Sequence, residues 1–225
     1  MRHRSLEPEL LDGPTHDPAE LAHSLGQVAQ VNRWLGGSRA LQRHLAPLLE
    51  EASPLALLDV GTGNGETLLE TLAWVRSRGR SWTGVGVDLS PQTAALARRK
   101  GVAVVLGDAL RLPFADGSFD AVTCTLTLHH FTDEAAVALV AEMARVSRRV
   151  VLVNDLERTR ANYLGARLLG LTVWRRNRLT RHDGPRSVQR SFTPGELLAI
   201  GRRAGLTDVG VDRHFPWRIV LKGRP

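Results

Sequence analysis

Cysteine and lysine are scarce in this chain, and long apolar runs are missing. Cys124 is the one cysteine among 225 residues, so no disulfide can close within the chain, in keeping with a reducing compartment. Lysine occurs only at positions 100 and 222, and the formal charge of +7 is therefore carried by arginine. Arginine dispersed along a chain reads as a solvated surface, so nucleic acid is not expected as a partner. No apolar stretch approaches the roughly 18 to 20 residues of a membrane span. Residues 1–14 are charged and proline-containing, without the apolar centre of a signal peptide, and the expected location is cytoplasmic. The length suits one α/β domain with a substantial core.

What the chain does have is a glycine-rich turn at its centre. Leu57-Leu58-Asp59-Val60-Gly61-Thr62-Gly63-Asn64-Gly65-Glu66 is an apolar run interrupted by an acid, then glycines at alternate positions, then a helical pattern. A strand turning sharply into a helix is predicted, with a ligand at the turn. Glycine admits positive φ and lets a ligand approach the backbone, and the first N–H groups of the helix face it. The spacing G-x-G-x-G differs from the G-x-G-x-x-G loop that cradles a dinucleotide pyrophosphate.

Before this turn, Asp17-Pro18-Ala19-Glu20 carries helix-start chemistry for a helix ending at Gly36-Gly37, and Ser38 is expected to cap a second helix to about Glu51. After it, strands are predicted at Thr83 to Asp88, Val102 to Leu106, Phe119 to Thr125 and Val150 to Val153, with helices between them. Ser90 and Thr132 are read as caps for two of those helices. The segment from Leu156 to Arg190 follows, with Asp183-Gly184-Pro185 read as a turn. Thr193-Pro194-Gly195-Glu196 starts a last helix before a C-terminal antiparallel hairpin. This strand–helix rhythm is that of a parallel sheet with crossovers.

With Val85 to Ser90, Gly107-Asp108-Ala109, Leu112-Pro113-Phe114 and Ser118 to Val122, the turn resembles successive motifs of the class I S-adenosylmethionine-dependent methyltransferases. The likeness spans about Leu55 to Val153. The nearest group is the small-molecule branch that includes ubiquinone- and menaquinone-type enzymes. It implies a Rossmann-like α/β fold with a seven-stranded sheet ordered 3-2-1-4-5-7-6, the last strand antiparallel, and helices on both faces. One domain is expected over 1–225: an N-terminal helical cap (1–53), a cofactor core (54–155), a substrate lid (156–192), and a C-terminal helix and hairpin (193–225).

The resemblance implies S-adenosyl-L-methionine as cofactor. The residues expected at it are Asp59, Gly61, Thr62, Gly63, Asp88, Leu89, Asp108, Ala109 and Thr125. Asp59 can order the loop and lie near the methionine ammonium. Asp88 can accept both ribose hydroxyls in charge-assisted hydrogen bonds, and Asp108 the exocyclic amine of adenine, with Leu89 and Ala109 on the ring faces.

His129-His130 follows the fourth strand, where the family's substrate pocket opens. Either ring is a candidate base for a phenolic acceptor, His130 slightly favoured, or the pair only shapes the site. No metal is expected. The reading Thr125-Leu126-Thr127-Leu128-His129 in place of a Pro-Pro-aromatic motif disfavours base-amine methylation. The expected reaction is methyl transfer to oxygen or carbon of a small aromatic, quinol-like or polyketide-type acceptor. The alternatives are a protein or RNA methyltransferase, and an inactive fold member with a regulatory role. Arg33 is either a carboxylate ligand or a surface arginine. Residues 163–178 join a greasy helix to a basic end, read as a lid, as a peripheral membrane contact for a lipid-like acceptor, or as an ordinary core helix.

Overall fold

The structure, a computed structural model, describes residues 1, 3–13, 16–51 and 54–225. Residues 2, 14 and 15, and the point at 52–53 where the helical cap is expected to give way to the core, lie outside the described residues. Two helices come first. In α1 (Pro18–Trp34) the Asp17 side chain accepts the Ala19 and Glu20 N–H groups with Pro18 opening the first turn, as its local chemistry dictates.

The start of α2 (Gly37–Leu45) departs from expectation. Gly36, at φ 74°, takes the cap position, and Ser38 sits inside the helix, donating its hydroxyl to Glu70 Oε2 at 2.6 Å. Two glycines in a row let the chain reverse two residues earlier than a cap at Ser38 would. Pro47 then converts the last stretch to a 3₁₀ turn, Ala46–Glu50.

The sheet is built by β1 (Ala56–Val60), α3 (Glu66–Ser77), β2 (Thr83–Asp88), α4 (Pro91–Arg99), β3 (Ala103–Leu106), β4 (Phe119–Thr125), α5 (Asp133–Val146) and β5 (Ser147–Leu156). After α6 (Arg160–Leu171), α7 (Arg178–Arg190) and α8 (Pro194–Arg203), the hairpin β6 (Thr207–His214) and β7 (Arg218–Arg224) completes it. The strand order is β3-β2-β1-β4-β5-β7-β6, with β7 antiparallel to both neighbours and the β1–β5 pairs parallel. This is the Rossmann-like order that the resemblance implies.

Apolar cores lie on both faces. Leu58, Val60, Val122, Cys124, Val151 and Val153 pack with α5 and α8 on one side, and Leu57, Ala121, Val150 and Leu152 pack with α2 and α3 on the other. Central β4 is buried along its whole length, so every residue of Phe119–Thr125 is held from two sides.

Asp183-Gly184-Pro185 is not a turn: all three lie within α7. Pro185 removes one internal hydrogen bond, but long-range contacts fix the helix. Asp183 accepts the Leu10 and Leu11 N–H groups at 2.8 and 3.0 Å, and Gly184 lies where a Cβ would come 2.3 Å from the Trp174 ring. Residues 3–13 thus form a strap along α7. Among the described residues no helix is long and apolar enough to cross a membrane.

Candidate active site

The carboxyl ends of β1, β2 and β4 meet at one rim of the sheet. Val60 pairs with Val87 on one side and Cys124 on the other, so the chain leaves all three strands at the same level. The glycine turn then bends back over β2: Gly61 and Thr62 both donate their N–H to Val87 O, at 2.9 and 3.1 Å. Gly61, Gly63 and Gly65 have φ of 68°, 57° and 77°. A Cβ on Gly61 would strike Thr127 at 2.4 Å, whereas one on Gly63 would meet nothing within 4 Å. Gly61 is therefore glycine for packing, and Gly63 faces open space.

Asp59 is buried beneath this turn. Its oxygens accept the Thr62 hydroxyl at 3.0 Å and the Thr123 hydroxyl at 2.9 Å, and burial pushes its carboxyl up to about 6. Asp88, at the end of β2, accepts Gly63 N–H at 2.9 Å through one oxygen and Ser90 N–H at 3.0 Å through the other. Burial raises this carboxyl, against the backbone donors and the charge of His130, which lower it.

Asp108 lies two residues beyond β3, exposed, with Leu110 N–H on one oxygen at 2.9 Å. Leu89 is 73 % exposed beside Asp88, and Leu106 and Leu110 are exposed near Asp108. Ala109 instead packs partly against the core. Thr125 ends β4 with its hydroxyl oxygen buried and unpartnered among the described residues.

These features suit a sulfonium nucleoside. The space over Gly63 is open, the nearby Asp88 carboxylate is already aligned by two N–H donors, and exposed leucines stand beside it. Asp59 has both oxygens engaged with hydroxyls, so its evident work is to hold the turn.

The histidines occupy a 3₁₀ turn, Leu128–His130, directly after β4. His129 is buried; its Nδ1 lies 2.8 Å from Asp155 Oδ1, and its backbone N–H reaches Asp155 Oδ2 at 3.2 Å. Burial would raise the Asp155 carboxyl, but the charge and hydrogen bond of His129 outweigh it and the net shift is downward. His130 is partly exposed, with Nδ1 2.7 Å from Asp12 Oδ1. In both rings Nδ1 is matched to a carboxylate, which leaves Nε2 as the atom that can accept a proton or a ligand.

The strap covers these rings. Glu9, buried, places Oε1 3.5 Å from His129 Nε2 and accepts the Ser187 hydroxyl at 2.9 Å. Burial lifts its carboxyl to about 7. Arg190 donates to the carbonyls of His129 and His130 at 3.2 and 2.7 Å and to Asp12 Oδ2 at 2.7 Å. Arg4 donates to the carbonyls of His129 and Phe131, pairs with Asp133, and lies 3.8 Å over the Phe192 ring.

Sequence reasoning missed Glu9, Asp12, Asp155 and Arg190. An acid one residue from the end of a strand, like Asp59, was a usable signal for Asp155. Glu9 and Asp12 reach the site only through the strap. Arg33 points elsewhere: it is exposed and pairs with Glu70 Oε1 at 2.7 Å, the surface arginine of the two readings.

Comparison with known proteins bears on the family and the fold. Residues 57–149 match a family described as a methyltransferase domain. A demethylmenaquinone methyltransferase of Roseiflexus sp. is 37 % identical over 172 residues, 68 % of each chain. Another of Deinococcus radiodurans is 41 % identical over 118 residues, 50 % of this chain and 46 % of that one. Among solved structures, a SAM-dependent methyltransferase from Aquifex aeolicus superposes with a TM-score of 0.64 at 17 % identity, over 93 % of this chain and 98 % of that one, a likeness of fold.

Proposed function

The chain belongs to the class I S-adenosylmethionine-dependent methyltransferases, and on that premise we propose that it methylates a carbon or oxygen of a small quinol-like ring in the cytoplasm. The acceptor class is supported by the two demethylmenaquinone methyltransferases it is similar to. The observation that carries the reading is the partly exposed His130 ring on the turn after β4, with Nδ1 braced by Asp12 at 2.7 Å and Nε2 left to accept a proton.

S-adenosylmethionine, when bound, supplies a methyl group activated on sulfonium. The residues of the chain then have two tasks. The first is alignment: Asp88 would hold the ribose hydroxyls, Asp108 the adenine amine and the turn from Gly61 to Gly63 the methionine end, with Asp59 fixing that turn from beneath. The second is to take a proton. A ring hydroxyl with a pKa near 10 is a poor nucleophile at neutral pH, and losing its proton puts charge on oxygen and on the adjacent ring carbon. His130 Nε2 accepts that proton, with Asp12 holding Nδ1–H; His129 and Asp155 hold the turn that carries it.

A quinol of this class is lipid-like, and α6 offers it a landing surface. Leu164, Leu168 and Leu171, spaced along one helix face, are 64 %, 61 % and 71 % exposed, with exposed Arg160, Arg167, Arg175 and Arg176 around them. We assign this face to the surface of an anionic bilayer.

The test is direct. The purified chain with methyl-labelled S-adenosylmethionine and a detergent-dispersed 1,4-naphthoquinol lacking its ring methyl is expected to label the quinol. Labelling of RNA or protein instead, with none in the quinol, would overturn the acceptor assignment.

A further inference from the structure

Glu9, His129 and His130 come from two segments far apart in sequence, yet each offers a ligand atom, and the three lie within 4.8 Å of one another. Two of the residues are buried and the third is half-buried. Their surroundings match what a metal-binding imidazole needs. A ligating histidine usually gives its other ring N–H to a carboxylate, which fixes the ring and makes the free nitrogen a better donor. Here both rings do so, His129 to Asp155 at 2.8 Å and His130 to Asp12 at 2.7 Å. The third ligand, Glu9 Oε1, already stands 3.5 Å from His129 Nε2, about the separation of two ligands on one small ion.

We infer that Glu9, His129 and His130 form a binding site for a divalent transition-metal ion, of the two-imidazole, one-carboxylate kind that suits zinc, with a fourth position left open. Binding draws the three atoms together from their present spacing, and the Glu9 end supplies the movement because it belongs to the strap. The charges around the site permit it. Glu9 and Asp155 balance the ion, Arg190 is committed to Asp12 and to backbone carbonyls, and Arg4 is committed to Asp133 and carbonyls.

The ion and a proton compete for the same ring lone pairs. If His130 is the base assigned above, zinc therefore slows methyl transfer, and this consequence alone rests on that assignment.

Calorimetric titration of the chelator-stripped full chain with zinc chloride tests the site. One equivalent is expected to bind saturably. Glu9→Gln and His130→Gln are each expected to weaken binding about tenfold to hundredfold. Cobalt chloride is expected to give visible absorption bands in the wild type that both variants lose. S-adenosylmethionine binding, measured on the same samples, is expected to persist in Glu9→Gln and reports that this variant is folded. Absence of saturable zinc binding, or equal binding by wild type and both folded variants, overturns the site and leaves the methyltransferase reading intact.

Discussion

Gly63 donates its backbone N–H to Asp88 Oδ2 at 2.9 Å, so the carboxylate at the end of the second strand is also a strut of the glycine turn. The same residue thus ends the strand and holds the turn. Asp88→Ala is expected to weaken S-adenosylmethionine binding at least tenfold in calorimetry, since each charge-assisted hydrogen bond is worth roughly 1.5–3 kcal/mol. Asp88→Asn, which keeps an acceptor for Gly63, is expected to lose less. Equal affinity in wild type and Asp88→Ala would contradict the ribose assignment.

Asp59 makes a different prediction, about stability and pH. Its carboxyl rises from 3.8 unfolded to about 6 folded because burial disfavours the charge more than two threonine hydroxyls favour it. The native state then holds a proton that the unfolded chain releases between about pH 4 and pH 6. The stabilisation is complete below the unfolded value and is lost as pH rises through the folded one, by on the order of 3 kcal/mol. Asp59→Asn carries no such charge. Its stability in urea unfolding, relative to wild type, is expected to be greater at pH 7 than at pH 4 by about that margin. Glu9 also titrates upward of its usual range but is common to both proteins, so it cancels. A pH-independent difference would show that Asp59 is not the group responsible.

The two neighbouring histidines are expected to separate cleanly. His129→Ala leaves Asp155, fully buried on β5, without the ring N–H that satisfies it, and loss of about 3–5 kcal/mol of stability is expected in denaturant unfolding. His130 is partly exposed and Asp12 keeps Arg190, so His130→Ala is expected to cost under about 1 kcal/mol. It is expected to bind S-adenosylmethionine normally and lose most turnover at neutral pH, with the deficit shrinking as pH approaches the acceptor's own pKa. Full turnover of His130→Ala at pH 7 would end its assignment as the base.

What the sequence disclosed and what it hid divide along the range of the interactions. Asp17, Ser90, Thr132 and Thr193 each bond the N–H of a residue two or three positions on, so the caps were readable from a few adjacent letters. The glycine turn and Asp88 were readable because a sharp strand-to-helix turn restricts its residues so tightly. Asp183-Gly184-Pro185 shows the opposite case. Its letters spell a turn, but the strap's N–H groups on Asp183 and the Trp174 ring against Gly184 hold a helix through it. Glu9 and Asp12 were invisible as site residues for the same reason, since nothing near them in sequence carries a trace of the histidines they meet.

The exposed face of α6 gives the last prediction. Three leucines standing more than three-fifths out of the protein carry a cost in water that a bilayer would remove, at roughly 1.5–3 kcal/mol for each side chain fully buried. Arg160 and Arg167 lie along the same helix, so anionic headgroups add a salt-sensitive attraction near the surface. The chain is expected to co-sediment with vesicles containing phosphatidylglycerol, less with purely zwitterionic ones, and less again as salt is raised. Leu164→Ser combined with Leu168→Ser and Leu171→Ser is expected to reduce vesicle binding at least tenfold while turnover on a water-soluble quinol analogue stays at the wild-type level, because these side chains face away from the core. Failure of the wild type to bind anionic vesicles would leave α6 as an ordinary solvated helix, and the acceptor would then have to reach His130 from solution.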